Sequence, residues 1–151
     1  MHKALNYIGL AKKAGSIELG ETNTGAAIRA GKGKILILAS DASENARRRA
    51  ESFVSGTQVP IVPLPFSKAE ISQVSGTAGC SMATFTDIGL AAVFVKSLAE
   101  NEPSFSQTAE LLEQKSKKAQ MRKKEALAHE KNIKLGMAAK PAATGKRRKN
   151  V

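Results

Sequence analysis

The sequence predicts an α/β protein: a three-layer α/β/α sandwich around a four-stranded mixed sheet, followed by a basic C-terminal tail that is helical or disordered. Three observations carry this. Ile35-Leu36-Ile37-Leu38-Ala39 is an unbroken apolar run too short for a helix, and it reads as a strand covered by helices on both faces. Four strand-like pieces alternate with helical segments before residue 99, the order of an α/β fold. The charge is also divided. Residues 1–99 hold 11 Lys/Arg and 7 Asp/Glu, net +4, whereas residues 100–151 hold 13 and 6, net +7. A folded domain is therefore expected over 1–99, with a basic extension over 100–151.

Each element has a local reason. Ala4, Leu5, Ile8 and Ala11 fall on one face of a helix over 3–14, which Gly15 stops. Ser16–Leu19 is β-prone, and Gly20 turns the chain. Thr22 or Asn23 caps a second helix running to Ala30, closed by Gly31. After the Ile35–Ala39 strand, Asp41 with Glu44 resembles a capping box opening a helix whose inner face is Ala46, Ala50 and Phe53, ended by Gly56. Val59–Pro63 reads as a strand whose prolines, lacking N–H groups, belong at its ends or on a sheet edge. Ser67-Lys68-Ala69-Glu70 is a capping box before a short helix with Ile71 and Val74 inward, ended by Gly76. Thr77–Cys80 form a small loop. Met82–Thr86 alternate as a strand, and Thr86 or Asp87 caps a last core helix to about Leu98. Beyond Pro103, Ser106–Leu135 combine strong helix formers with a thin apolar stripe of Leu111, Leu112, Met121 and Leu127, interrupted by lysines and Arg122. Gly136–Gly145 read as a linker, and Lys146–Lys149 as a terminal basic cluster.

Composition narrows the function. The 151 residues are 42% apolar, which excludes global disorder, but only 4% are aromatic and none is Trp, which disfavours a stacking platform for single-stranded bases. No apolar run approaches the roughly 18 residues of a membrane span. The amphipathic start, with polar Asn6 in its middle, makes a poor signal peptide. The single cysteine, Cys80, forms no internal disulfide, consistent with a cytoplasmic protein. A net charge of +11 favours polyanionic partners through counterion release.

Catalytic chemistry is hard to assemble. His2 sits at the extreme N-terminus and His129 in the tail, so no base is held on a strand end, and Cys80 reads as a small buried or loop residue. Gly31-Lys32-Gly33-Lys34 runs from helix into strand, the reverse of a phosphate loop. Arg47-Arg48-Arg49 point about 100° apart around a helix, so at most one or two face a common ligand. No enzyme, cofactor, metal or small-molecule substrate is expected. More informative is Gly20-Glu21-Thr22-Asn23, where a strand hands over to a helix N-terminus. Unpaired amides at the positive end of a helix dipole suit a phosphate or a base edge, with Thr22 and Asn23 able to donate and accept; ordinary helix capping is the plainer account.

The segments Ile8–Gly15, Leu19–Glu21, Ala27–Lys32 and Ile35–Asn45, with Val59–Ile61, Phe66–Glu70 and Thr86–Leu90, resemble the L-seven-Ae superfamily of kink-turn RNA-binding ribosomal proteins, in particular its small bacterial YlxQ-like branch. The resemblance covers residues 3–99 and implies a three-layer fold that binds kinked RNA without catalysis. In the family, a Gly-x-Asn-Glu-x-x-Lys signature at the second helix reads the sheared G·A pairs of the kink. Here Gly20 is kept, while Thr22, Asn23 and Ala26 fall on the Asn, Glu and Lys positions. The family's second contact, an apolar loop, maps to Gly76-Thr77-Ala78-Gly79-Cys80, and Lys34, near Lys32, matches a lysine often found there.

The function expected is therefore a cytoplasmic, monomeric RNA-binding protein of the ribosomal type, with structured RNA such as rRNA or the ribosome as partner. Gly20, Glu21, Thr22 and Asn23 would meet base edges or phosphates, Lys32 and Lys34 would neutralise backbone, and loop 76–80 would pack on an unstacked nucleotide. The alternative is a general polyanion-binding or protein-docking module driven by the tail, with a vestigial kink-turn site.

Overall fold

The computed structural model describes residues 2–139. The elements run α1 (Lys3–Ala14), β1 (Ile17–Leu19), α2 (Glu21–Arg29), β2 (Ile35–Leu38), α3 (Glu44–Val54), β3 (Ile61–Pro63), α4 (Lys68–Ser75), β4 (Met82–Phe85), α5 (Ile88–Ala99), a 3-10 turn (Pro103–Phe105) and α6 (Ser106–Ala139). The strands form one mixed sheet in the order β1-β4-β2-β3. β4 is antiparallel to both β1 and β2, with Phe85 opposite Ile17 and Ile35, whereas β2 and β3 are parallel with Leu36 opposite Ile61.

The two faces of this sheet make two cores. Ile17, Leu19, Ile35, Ile37, Val62, Ala83 and Phe85 pack with Leu5 and Ile8 of α1, Ile71 of α4 and Phe94 and Leu98 of α5. Leu36, Leu38 and Met82 face the other way, onto Ile28 of α2 and Ala46 and Ala50 of α3. The three-layer α/β/α sandwich and the unbroken burial of β2 are thus as read from the apolar run. β4 is not the alternating strand expected: all four of its residues are buried, because it lies inside the sheet with helices on both faces. Its one polar side chain, Thr84, is satisfied by donating to the Ile35 carbonyl at 2.7 Å. β3 lies on the edge, where Pro63 costs no ladder bond.

Several helix ends differ from the local reading. The cap of α2 is Gly20, not Thr22 or Asn23, which lie in its first turn. Ser43 caps α3 by accepting from the Ala46 amide, while Asp41 instead accepts from the Lys68 amide at 2.8 Å, tying that turn to α4. The Ser67/Glu70 capping box forms, and Asp87 caps α5. His2 caps α1 through Nδ1.

The apolar core does not stop near residue 99. Phe105, Ala109 and Leu112 belong to the same cluster as α1 and α5 because the 3-10 turn redirects the chain into α6. The chain divides into two units, 1–116 and 117–151. Side chains of residues 117–129 are exposed in the main, including Met121 and Leu127. Helix α6 continues through 136–139, where a linker was expected; residues 140–145 and the Lys146–Lys149 cluster lie outside the described residues. Among the described residues, no helix is long and apolar enough to cross a membrane.

Candidate functional site

Strand becomes helix within one residue at Gly20. Its φ of +93° and ψ of 160° lie in a region open to glycine and almost closed to other residues. Its N–H donates to the Met82 carbonyl at 3.0 Å, and its own carbonyl accepts the Thr24 amide, the first bond of α2. Among the described residues, no side chain caps this helix. The amides of Glu21, Thr22 and Asn23 therefore leave the helix end without intrahelical partners, at the positive end of its dipole.

The side chains around this turn take distinct roles. Thr22 is exposed. Asn23 donates from Nδ2 to the Leu19 carbonyl at 3.0 Å, which fixes its amide against the end of β1 and leaves Oδ1 and the second Nδ2 hydrogen for a ligand. Glu21, half-buried, stands 3.8 Å from a guanidinium nitrogen of Arg49 on α3, an exposed pair worth little in stability. Of the three consecutive arginines, Arg49 is thus the one paired with a residue of this turn. Thr24 is buried, and among the described residues its Oγ1 finds no hydrogen-bond partner.

Loop 76–80 joins the same end of the sheet. Gly76 and Gly79 adopt left-handed backbone, Ala78 and Gly79 are exposed and Thr77 is half-buried. Cys80 is the small buried residue its chemistry suggests rather than a ligand-facing member of the loop: its side chain is turned into the core, 2% exposed, with Sγ donating to the Met82 carbonyl at 3.2 Å. Burial pushes its thiol pKa up, offset in part by backbone hydrogen bonding from Gly20 and Met82 and by the Lys12 ammonium. Cys80 therefore anchors the loop and offers no side chain to a ligand. One carbonyl, that of Met82, accepts from both Gly20 and Cys80, so the two predicted segments are brought together although about 60 residues separate them.

The two lysines are placed differently. Lys32 and Lys34 follow the far end of α2, a nine-residue helix and so about 13 Å from Gly20. Lys32 is exposed and shares with Asn23 a groove of about 330 Å³ along α2, lined also by Ala26, Ala27, Ala30 and Glu18. Lys34 is half-buried, its N–H donating to the Phe85 carbonyl at 2.7 Å, and does not line that groove. Gly33 between them is buried where a Cβ would stand 2.7 Å from Thr84 Oγ1, so this glycine serves close packing.

Two residues escaped the sequence reading. Glu18 was legible from the Ile17-Glu18-Leu19 alternation, which turns it outward; its carboxylate opposes a phosphate in the groove. Lys12 carried no local signal: its Nζ lies 3.0 Å from the Ser75 carbonyl and 3.5 Å from Thr77 Oγ1, across 63 and 65 residues of chain. His2 is engaged at a helix cap, and against Phe66 and Asn101, and His129 is exposed on α6. Among the described residues, no group of three or more His, Cys, Asp or Glu is placed to hold a metal.

Comparison with known proteins places this arrangement. Residues 2–95 match the model of the ribosomal protein L7Ae/L30e/S12e/Gadd45 family. The chain is 47% identical over 74 residues to the RNA-binding protein YlxQ of Enterococcus faecium, covering 49% of this chain and 71% of that protein. Among solved structures, a protein of unknown function from Bacillus halodurans superposes with a TM-score of 0.59 at 21% identity, over 64% of this chain and 97% of its own. The Giardia lamblia 15.5kD RNA binding protein superposes with a TM-score of 0.52 at 18% identity, over 66% and 84%. At those identities the two structures speak to the fold alone.

Proposed function

The chain belongs to the ribosomal protein L7Ae/L30e/S12e/Gadd45 family, in its YlxQ-like branch, and from that premise we propose that it is a non-catalytic RNA-binding protein. Its ligand is kinked, structured RNA of the rRNA type, which it binds as a cytoplasmic monomer. The observation that carries the reading is the junction of two segments at one end of the sheet: the three free amides at the start of α2, and loop 76–80 tied beside them through the Met82 carbonyl. Amides and Thr22 offer donors to base edges or phosphates, and the small exposed residues Ala78 and Gly79 offer a surface on which an unstacked base can pack. Lys32, and more weakly the half-buried Lys34, add backbone neutralisation from the far end of α2.

The test is binding of the full chain to a kink-turn RNA and to a duplex of equal length at two salt concentrations. A preference of roughly tenfold, about 1.4 kcal/mol, that survives the higher salt is expected. Thr22→Ala with Asn23→Ala should remove that preference and spare weak general binding, with thermal melting as the control for the lost Asn23–Leu19 bond. Neutralising Lys32 should flatten the salt dependence by about one unit. Unchanged selectivity in the double variant would sink the site.

A second reading has its own support: the groove beside Asn23 carries Glu18 and an uncharged Ala26, while residues 100–151 hold net +7. Under it, the basic extension drives sequence-independent binding. Ending the chain after Ser116, where the first unit closes, would then abolish binding rather than weaken it.

A further inference from the structure

Lys12 belongs to the last turn of the first helix, yet its ammonium group reaches the far end of α4. There it donates to the Ser75 carbonyl at 3.0 Å and stands 3.5 Å from Thr77 Oγ1, the first side chain of loop 76–80. Its charge is also felt by the Cys80 thiol where that loop ends. A cation at this position satisfies a carbonyl that the helix cannot and meets the negative end of its dipole.

Among the described residues, no other long-range hydrogen bond reaches the outer part of the loop. Two of its five residues are glycines in left-handed backbone, and Ala78 contributes one methyl group. At its start, the Thr77 amide bonds only locally, to Ser75 Oγ at 3.2 Å. At its end, Cys80 is locked into the core. The exposed segment between these points carries the conformational entropy of a glycine-containing turn, which must be lost when it is ordered. Among the described residues, Lys12 is the long-range side-chain restraint at the open end of that segment.

We propose that Lys12 is a positioning residue for RNA recognition: by bridging Ser75 and Thr77 it holds Thr77–Gly79 in the form against which an unstacked nucleotide packs. This rests on the RNA-binding reading above and deepens it. On this reading Lys12 acts through the loop, to which its ammonium is bound through Ser75 and Thr77; a direct phosphate contact is the competing outcome of the test.

The experiment uses the full chain with Lys12→Met, which keeps an apolar stem and removes the donors, and Lys12→Arg, which keeps charge and donors. The first readout needs no RNA. Backbone order parameters at Thr77–Gly79, near the rigid value of about 0.85 in the parent protein, should fall below about 0.6 in Lys12→Met and recover in Lys12→Arg. The second readout is the preference for a kink-turn RNA over a duplex, which should drop roughly tenfold in Lys12→Met with its salt dependence unchanged. Unchanged order parameters would overturn the positioning role whatever the RNA does. So would a salt slope shallower by about one unit with the loop still ordered, since that marks a direct phosphate contact. A loosened loop in Lys12→Met, in a parent protein with no kink-turn preference, would instead overturn the RNA reading and leave Lys12 a purely structural clamp.

Discussion

Gly20 shows how much one residue can decide. At φ +93° and ψ 160° it turns strand into helix without an intervening loop, and this is what leaves three amides of α2 uncapped. The space around it is empty: a Cβ there would meet nothing within 4 Å. Gly20→Ala therefore isolates backbone strain from steric clash and should cost about 1–3 kcal/mol. Urea denaturation measures this, and a loss below about 0.5 kcal/mol would mean that the turn relaxes to another conformation. The glycine was legible in the sequence as a turn residue. The residues after it were read as capping candidates because Thr and Asn usually cap, but the register of β1 against β4 ends the strand at Leu19 and assigns the cap to glycine itself. Cys80 illustrates the opposite limit. A lone cysteine reads as a small buried or loop residue, but nothing in Gly79-Cys80-Ser81 indicates which, or that the thiol meets the Met82 carbonyl while the two residues before it stay exposed.

At the scale of elements, local chemistry and long-range contact compete for the same groups. The Ser67/Glu70 box forms as read because both partners lie within one turn. The similar pattern at Asp41 and Glu44 does not, since Asp41 finds the Lys68 amide 27 residues away and Ser43 takes over the cap. The pairing of α2 with α3 depends on a further feature that only the fold reveals. Gly25, buried in the middle of α2, lies where a Cβ would stand 2.7 Å from the Phe53 ring. Gly25→Ala gains helix propensity of about 1 kcal/mol but forces Phe53 aside, so a net loss of about 1–2 kcal/mol is expected. Thermal unfolding reads the sign. A stabilised variant would show that Phe53, which is only half-buried, moves freely. The reason for Gly25 is the approach of a neighbouring layer, which no local pattern announces.

For the whole molecule, packing decides where the folded unit ends. The charge division suggested residue 99, but Leu112 is fully buried in the α1/α5 core with Phe105 and Ala109. Leu112→Ala should cost about 2–5 kcal/mol in chemical denaturation of the full chain, as for other fully buried leucines. A cost under 0.5 kcal/mol would return the boundary to residue 99. Charge statistics missed this because a helix can bury a short stripe of its first turns while its remaining surface stays basic. The sequence by itself determined the α/β order, the doubly covered β2 strand and most helix ends, since these depend on periodicity and on chemistry within a few residues, and its motif segments carried the family resemblance. The tertiary structure alone decided that Gly20 and Cys80 meet on one carbonyl, that Lys12 clamps a loop more than 60 residues away, and that Lys34 stands apart from the groove holding Lys32. The reason is physical: such contacts form when strand order and packing close large loops of chain, and no local pattern encodes which groups then become neighbours.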